Sequence, residues 1–211
     1  MPNTTLELLL ARNRTHAARV SHHDAEYFSR HEAGQAPRCL WIGCADSRVP
    51  VDTLVQASPG ELFVMRNVAN QVLAEDDSIM SGIEYALNTL RVDNVIICGH
   101  THCGGVDFAG LMAVLPGEAK NDTPLTRQMF PLSQALRQQI KMHPEWKQLS
   151  KDHLNRFFVE TNVRQQMVQL QQTTLFQSAR RERALEIFGC IYDLKTGILN
   201  VLTDENGEVA P

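Results

Sequence analysis

Cys44-Ala-Asp46-Ser-Arg48 and His100-Thr-His-Cys103-Gly-Gly are the two stretches of this chain whose residue types can do chemistry. Each holds two groups able to bind a soft or borderline metal ion. Two thiolates, an imidazole and a carboxylate make a four-donor set suited to tetrahedral zinc. Cys44 and Asp46 are two positions apart, so extended backbone aims both to one side. His100 and Cys103 are three apart, across a turn rich in glycine that lets two donors converge. Gly104 and Gly105 leave backbone N–H groups open near an expected helix start, where an anion is favoured. An isolated cysteine at a strand end is usually a core residue. Four donors at two strand ends, flanked by an arginine and paired glycines, point instead to a zinc enzyme. His102 is an alternative to His100, but one residue from Cys103 it is expected to aim elsewhere. Cys39, Cys98 and Cys190 fall inside apolar runs and read as core.

Each motif follows a run that reads as a buried strand, Cys39-Leu-Trp-Ile-Gly43 and Val95-Ile-Ile-Cys-Gly99. The donors therefore sit past the carboxyl ends of strands, the edge where open parallel sheets hold ligands. Strands are expected at 38–43, 61–66, 94–99, 184–192 and 198–202, the last two forming a hairpin through Asp193-Leu-Lys-Thr-Gly197. Helices are expected at 4–20, with Asn3 or Thr4 as cap, and at 22–33, 78–91, 126–142 and 152–180. Ile79, Ile83, Ala86, Leu87 and Leu90 share one face of the third. Pro131 and Pro144 are the expected breaks, and the Gln-rich stretch from Gln165 to Gln177 reads as partly exposed helix. This alternation predicts an α/β fold with a mainly parallel central sheet flanked by helices. The 1–211 chain is expected to be a single domain: an N-terminal helical arm (1–34), a zinc-site core (35–110), a helical segment (112–180) and late strands (184–202).

With 211 residues, 43% of them hydrophobic, the chain can bury one sizeable core. A net charge of −4 gives no general attraction to nucleic acid or anionic membranes, and neither is expected as a partner. No run is apolar for long enough to span a bilayer. Five cysteines, four of them in or just beyond expected strands, are no disulfide framework. A cytoplasmic location is expected.

The assembled residues resemble a β-class carbonic anhydrase. The matching stretches are Leu40-Trp-Ile-Gly-Cys-Ala-Asp-Ser-Arg-Val-Pro50, Pro59-Gly-Glu-Leu-Phe-Val-Met-Arg-Asn-Val-Ala-Asn70 and Ile96-Ile-Cys-Gly-His-Thr-His-Cys-Gly-Gly105, with Phe188-Gly-Cys-Ile-Tyr-Asp193 further on. The resemblance implies zinc held by Cys44, His100 and Cys103, with Asp46 as an exchangeable fourth ligand that pairs with Arg48 in the active form. It implies reversible hydration of carbon dioxide to bicarbonate and a proton, with Asp46 orienting the attacking oxygen and with Gln35 and the Gly104 N–H steadying substrate oxygens. In one subgroup a tryptophan, an arginine and a tyrosine bind regulatory bicarbonate, and the matching residues are Trp41, Arg66 and Tyr192. Asp52 is the expected partner of Arg66 when bicarbonate is absent. The resemblance further implies a homodimer or homotetramer, with N-terminal helices packing on a partner subunit. Met65 stands where that subgroup often carries histidine, and 112–180 departs from the pattern. Two alternatives follow: hydrolysis of carbonyl sulfide or carbon disulfide, and a catalytically silent subunit that binds zinc or bicarbonate.

Overall fold

The structure is a computed structural model that describes residues 4–115 and 123–203. The chain divides into two compact units, Met1–Ala36 and Pro37–Pro211. The first holds α1 (Thr5–His23) and α2 (Tyr27–Glu32). Thr4 is the cap of α1: its hydroxyl accepts the Glu7 N–H, and the Glu7 carboxylate accepts the Thr4 N–H. No residue of α1 is buried, and Leu6, Leu8, Leu9 and Leu10 are exposed.

The second unit is built on five strands, β1 (Cys39–Cys44), β2 (Leu62–Asn67), β3 (Asn94–His100), β4 (Glu186–Asp193) and β5 (Ile198–Val201). They lie in the order β2-β1-β3-β4-β5; the first four are parallel, and β5 closes the expected hairpin antiparallel to β4. The chain leaves β1 for β2 on one side and returns to β3 on the other. That reversal opens a crevice at the carboxyl ends of β1 and β3. The sequence expectation of a mainly parallel sheet flanked by helices holds.

Helices α3 (Val51–Val55), α4 (Asp77–Glu84), α5 (Gly104–Val114), α6 (Pro124–Met142), α7 (Lys151–Gln172) and α8 (Thr174–Glu182) complete the unit. The expected helix at 78–91 is α4 continued by a wider turn over Tyr85–Thr89, where Leu90 N–H reaches the Tyr85 carbonyl. Ile79, Ile83, Ala86 and Leu87 are buried as expected. Pro131 does not break α6. The one hydrogen bond a proline forfeits there is offset by burial of Met129, Leu132 and Leu136. Pro144 does end it, opening a short 3₁₀ turn over Pro144–Gln148. The helix expected at 152–180 is two, divided at Thr173, whose hydroxyl donates to the Leu170 carbonyl and accepts the Phe176 N–H.

The main core lies on the sheet face that carries Leu40, Ile42, Val95 and Ile97, against α7 residues such as Val159, Val163 and Leu170. Strand glycines let α7 descend. A Cβ on Gly99 would lie 2.8 Å from Val163 Cγ2, and one on Gly189 would lie 2.6 Å from Met167 Sδ. A smaller cluster on the opposite face gathers Trp41, Val51, Cys98 and Cys190, with Tyr192 packed against it. All five cysteines are free and buried.

Candidate metal centre

Parallel pairing of β1 with β3, Gly43 beside Cys98, brings the two motifs to one edge. Cys44 is the last residue of β1, His100 the last of β3, and Cys103 the cap that turns the chain into α5. One donor atom from each lies within 4.8 Å of the others, and all three residues are buried. The two sulfurs are 3.8 Å apart. His100 Nδ1 lies 3.0 Å from the Thr101 carbonyl, a contact that places the ring proton on Nδ1 and turns the Nε2 lone pair inward. That Nε2 is buried and has no hydrogen-bond partner among the described residues.

The electrostatics of the sulfurs ask for a cation. The Cys103 S–H beside Cys44, helped by backbone N–H groups, pulls the Cys44 thiol well below its usual range. The same shared bond, together with burial, pushes the Cys103 thiol far above the usual range. A positive ion among Cys44, Cys103 and the orphaned His100 nitrogen satisfies all three, so these residues fit a metal. The cysteines outside the group behave as core: burial pushes Cys39 and Cys190 up to about 11, and Cys98 higher still.

Asp46 stands beside the three donors rather than among them. Its Oδ1 accepts the Arg48 backbone N–H at 2.9 Å and Arg48 Nε at 3.0 Å, and its Oδ2 accepts the guanidinium at 2.7 Å. The Arg48 side chain is the main cause holding this carboxyl well below the usual carboxylate range. Oδ2 faces the metal group, 3.7 Å from His100 Nε2. Arg48 also donates to the His102 carbonyl at 3.1 Å, so one side chain ties both motifs together. His102 itself is exposed and does not join the donors.

A carbonic anhydrase family model matches residues 39–199. The chain belongs to the carbonic anhydrase family. The activity of this carbonic anhydrase is reversible hydration of carbon dioxide. The chain is similar to a carbonic anhydrase of Emericella nidulans, 34% identical over 201 residues, covering 94% of this chain and 83% of the relative. Among solved structures, one from Sordaria macrospora, described as a tetrameric β-carbonic anhydrase, matches at a TM-score of 0.84 and 30% identity, covering 95% of this chain and 98% of its own. A β-carbonic anhydrase of Aspergillus fumigatus matches at 0.81 and 36%, covering 97% and 95%.

The remaining sequence candidates differ in their settings. Gly104 opens α5 with open space where a Cβ would stand. Gln35 is exposed and belongs to the N-terminal unit. Trp41 is buried in the smaller core cluster with its indole N–H unpartnered, and Tyr192 lies against the same cluster. Arg66 is exposed, yet it does not pair with Asp52. Its Nε donates to the Cys44 carbonyl at the end of β1 at 2.9 Å and its guanidinium Nη2 to the Asp46 carbonyl at 2.7 Å, a backbone pairing that side-chain pattern could not reveal.

Sequence reasoning missed three residues of α7 that support the loops around this centre. Asn155 accepts the His102 N–H at 2.8 Å and donates to Asp107. Asn162 is buried against the Val68–Asn70 turn and Gln166 against Val72 just beyond it, while the Gln-rich stretch is partly exposed as expected. Their signal in the sequence is spacing: positions i, i+7 and i+11 fall within about 20° of one line down a helix.

Proposed function

We propose that this carbonic anhydrase holds zinc through Cys44, His100 and Cys103, and that Asp46 and Arg48 orient the reacting water. The carrying observation is the buried three-donor group with the Asp46–Arg48 pair intact beside it. Zinc–sulfur bonds of about 2.3 Å place two sulfurs of a tetrahedron about 3.8 Å apart, in agreement with the Cys44–Cys103 separation of 3.8 Å. When bound, zinc supplies a Lewis acid that lowers the pKa of its water toward ~7.

The protein residues do the rest. Asp46 is ionised throughout the neutral range, so its Oδ2 accepts a hydrogen bond from the reacting water and fixes the direction of the attacking lone pair. Arg48 keeps that carboxylate in the dyad and off the fourth metal position, in the arrangement expected of the active form. The Gly104 N–H and the Gln35 amide are assigned to the substrate and bicarbonate oxygens. The net reaction joins carbon dioxide and water to give bicarbonate and a proton. Trp41, Arg66 and Tyr192 are assigned to regulatory bicarbonate. The buried, unpartnered Trp41 N–H supports this, and Trp41→Phe is expected to weaken bicarbonate inhibition.

The tetrameric description of a close structural match and the unburied, leucine-bearing α1 support a homodimer or homotetramer in which N-terminal helices pack on a partner subunit. No helix among the described residues is long and apolar enough to cross a membrane. A cytoplasmic location is in keeping with the five free cysteines. Stopped-flow carbon dioxide hydration from pH 6.5 to 9, with metal content measured on the same sample, tests the proposal. Rapid hydration with one zinc per chain is the expected result; full zinc occupancy without hydration at pH 9 would overturn it.

A further inference from the structure

The Val68–Asn70 turn follows β2 and has an unusual backbone. Ala69 and Asn70 both lie in the left-handed region, at φ 60° and 49°, although neither is glycine. Such conformations persist only where the surroundings impose them. Here α7 imposes them from one side. Asn162 Nδ2 donates to the Ala69 carbonyl at 3.0 Å, and Gln71 Nε2 donates to the same carbonyl at 2.7 Å. Gln71 Nε2 also reaches Asn162 Oδ1 at 2.8 Å, and Gln166 Oε1 accepts the Val72 N–H at 2.7 Å. Gln166 Nε2 closes the network on Asn162 Oδ1 at 3.1 Å. Asn67 brackets the turn, bonding both the N–H and the carbonyl of Gln71 at 2.7 Å.

From the other side the turn meets the start of α5. A Cβ on Gly105 would lie 2.7 Å from Val68 Cγ1 and 3.0 Å from Ala69 Cβ, so the missing side chain lets the turn seat there. Asn70, Gln71, Asn162 and Gln166 are all at most 1% exposed, so water does not compete for these bonds. The product of the arrangement is a single contact. The Ala69 N–H donates to Cys44 Sγ at 3.4 Å.

We infer that the buried amides Asn162 and Gln166 are positioning residues that hold the Ala69 N–H on the Cys44 sulfur and thereby set the strength of that sulfur as a metal donor. A hydrogen bond to a thiolate draws charge from sulfur, leaving less to pass to the ion. This eases the conflict between two charge-donating thiolates and an ion that must still activate water. The inference rests on the proposal that Cys44 is a metal ligand, and its test separates the two.

The experiment uses the full chain, labelled with ¹⁵N and loaded with ¹¹³Cd in place of zinc. A cadmium resonance split by the Cys44 Hβ protons shows that Cys44 ligates the metal. A further coupling from the Ala69 amide proton to cadmium, carried through the N–H···S bond, is the expected result. In Gln166→Met that coupling is lost, and a chelator removes zinc about 10- to 100-fold more readily. Gln177→Met, the same change at an exposed glutamine of α8, leaves both readouts unchanged. Cadmium bound by Cys44 without an Ala69 coupling overturns this inference alone, whereas cadmium not bound by Cys44 overturns the metal-site proposal as well. Coupling retained in Gln166→Met removes the amides from the account. If that variant does not fold, the wild-type coupling together with Gln166→Glu, which keeps the acceptor for Val72 but loses the donor to Asn162 Oδ1, decides the matter: a weakened coupling is expected, and an unchanged one removes the Gln166–Asn162 link from the account.

Discussion

Replacing Arg48 by glutamine separates positioning from stability more sharply than any other change at this site. The substitution removes both side-chain hydrogen bonds to Asp46, at 3.0 and 2.7 Å, and the tie to the His102 carbonyl, while the backbone N–H at 2.9 Å survives. Held by one bond instead of three, the carboxylate is free to swing by about 1 Å or toward the metal. Misplacement on that scale costs about 100-fold in rate. The effect on folding is small, because the Arg48 side chain is 55% exposed and exposed ion pairs contribute little. A Tm shift of no more than about 4 °C is expected. The pH dependence carries a sign. Arg48 lowers the folded pKa of Asp46, so the pair stabilises the protein above the unfolded carboxylate pKa near ~3.9, and that stabilisation is lost as pH falls through the lower folded value. In Arg48→Gln the carboxyl returns toward the ordinary value and stays ionised at neutrality. The lost rate is therefore geometric, and raising the pH from 7 to 9 does not restore wild-type activity. Stopped-flow hydration and thermal unfolding of the metal-loaded variant measure both quantities. A variant that keeps more than a tenth of wild-type kcat, or whose deficit vanishes at high pH, would refute the argument.

Cys44→Ser, His100→Ala and Cys103→Ser are each expected to abolish stoichiometric zinc and hydration together, as read by metal analysis of purified protein. Gly99→Ala places a methyl 2.8 Å from Val163 Cγ2 and 3.0 Å from Val159 Cγ1. Overpacking of that kind costs about 1–3 kcal/mol, and urea unfolding should show it as a lower midpoint at unchanged slope. Cys39 and Cys190, buried with thiols pushed up to about 11, are expected to stay unlabelled by a thiol reagent at pH 8 until the protein unfolds.

The strand ends that carry the donors were legible because buried parallel strands are short apolar runs, and because Cys44, Asp46, His100 and Cys103 fall just at or past those runs. The break at Thr173 was hidden inside a continuous helical composition, since a hydroxyl that caps two helices at once looks like any helix residue. Pro131 misled in the opposite direction: packing of its neighbours outweighs one missing hydrogen bond. The partner of Arg66 was unreadable because it is backbone, not a side chain. The amides of α7 were hardest. A buried glutamine and a solvated one have the same letter, and only the alignment of Asn155, Asn162 and Gln166 along one side of the helix separates them from their neighbours.

Cys44 and Cys103 are 59 positions apart, on opposite sides of an excursion that lays down β2 and α4 before β3 returns to β1. Closing a loop of that length costs roughly 3–4 kcal/mol in chain entropy, and the docked sheet has to meet that cost before the two sulfurs can share an ion. Capture of the proposed ion is therefore expected to follow docking of the sheet. An ion that arrives after the folding barrier leaves the folding rate alone and slows the unfolding rate instead. Scarcity of metal would shorten the life of each folded molecule without delaying its formation.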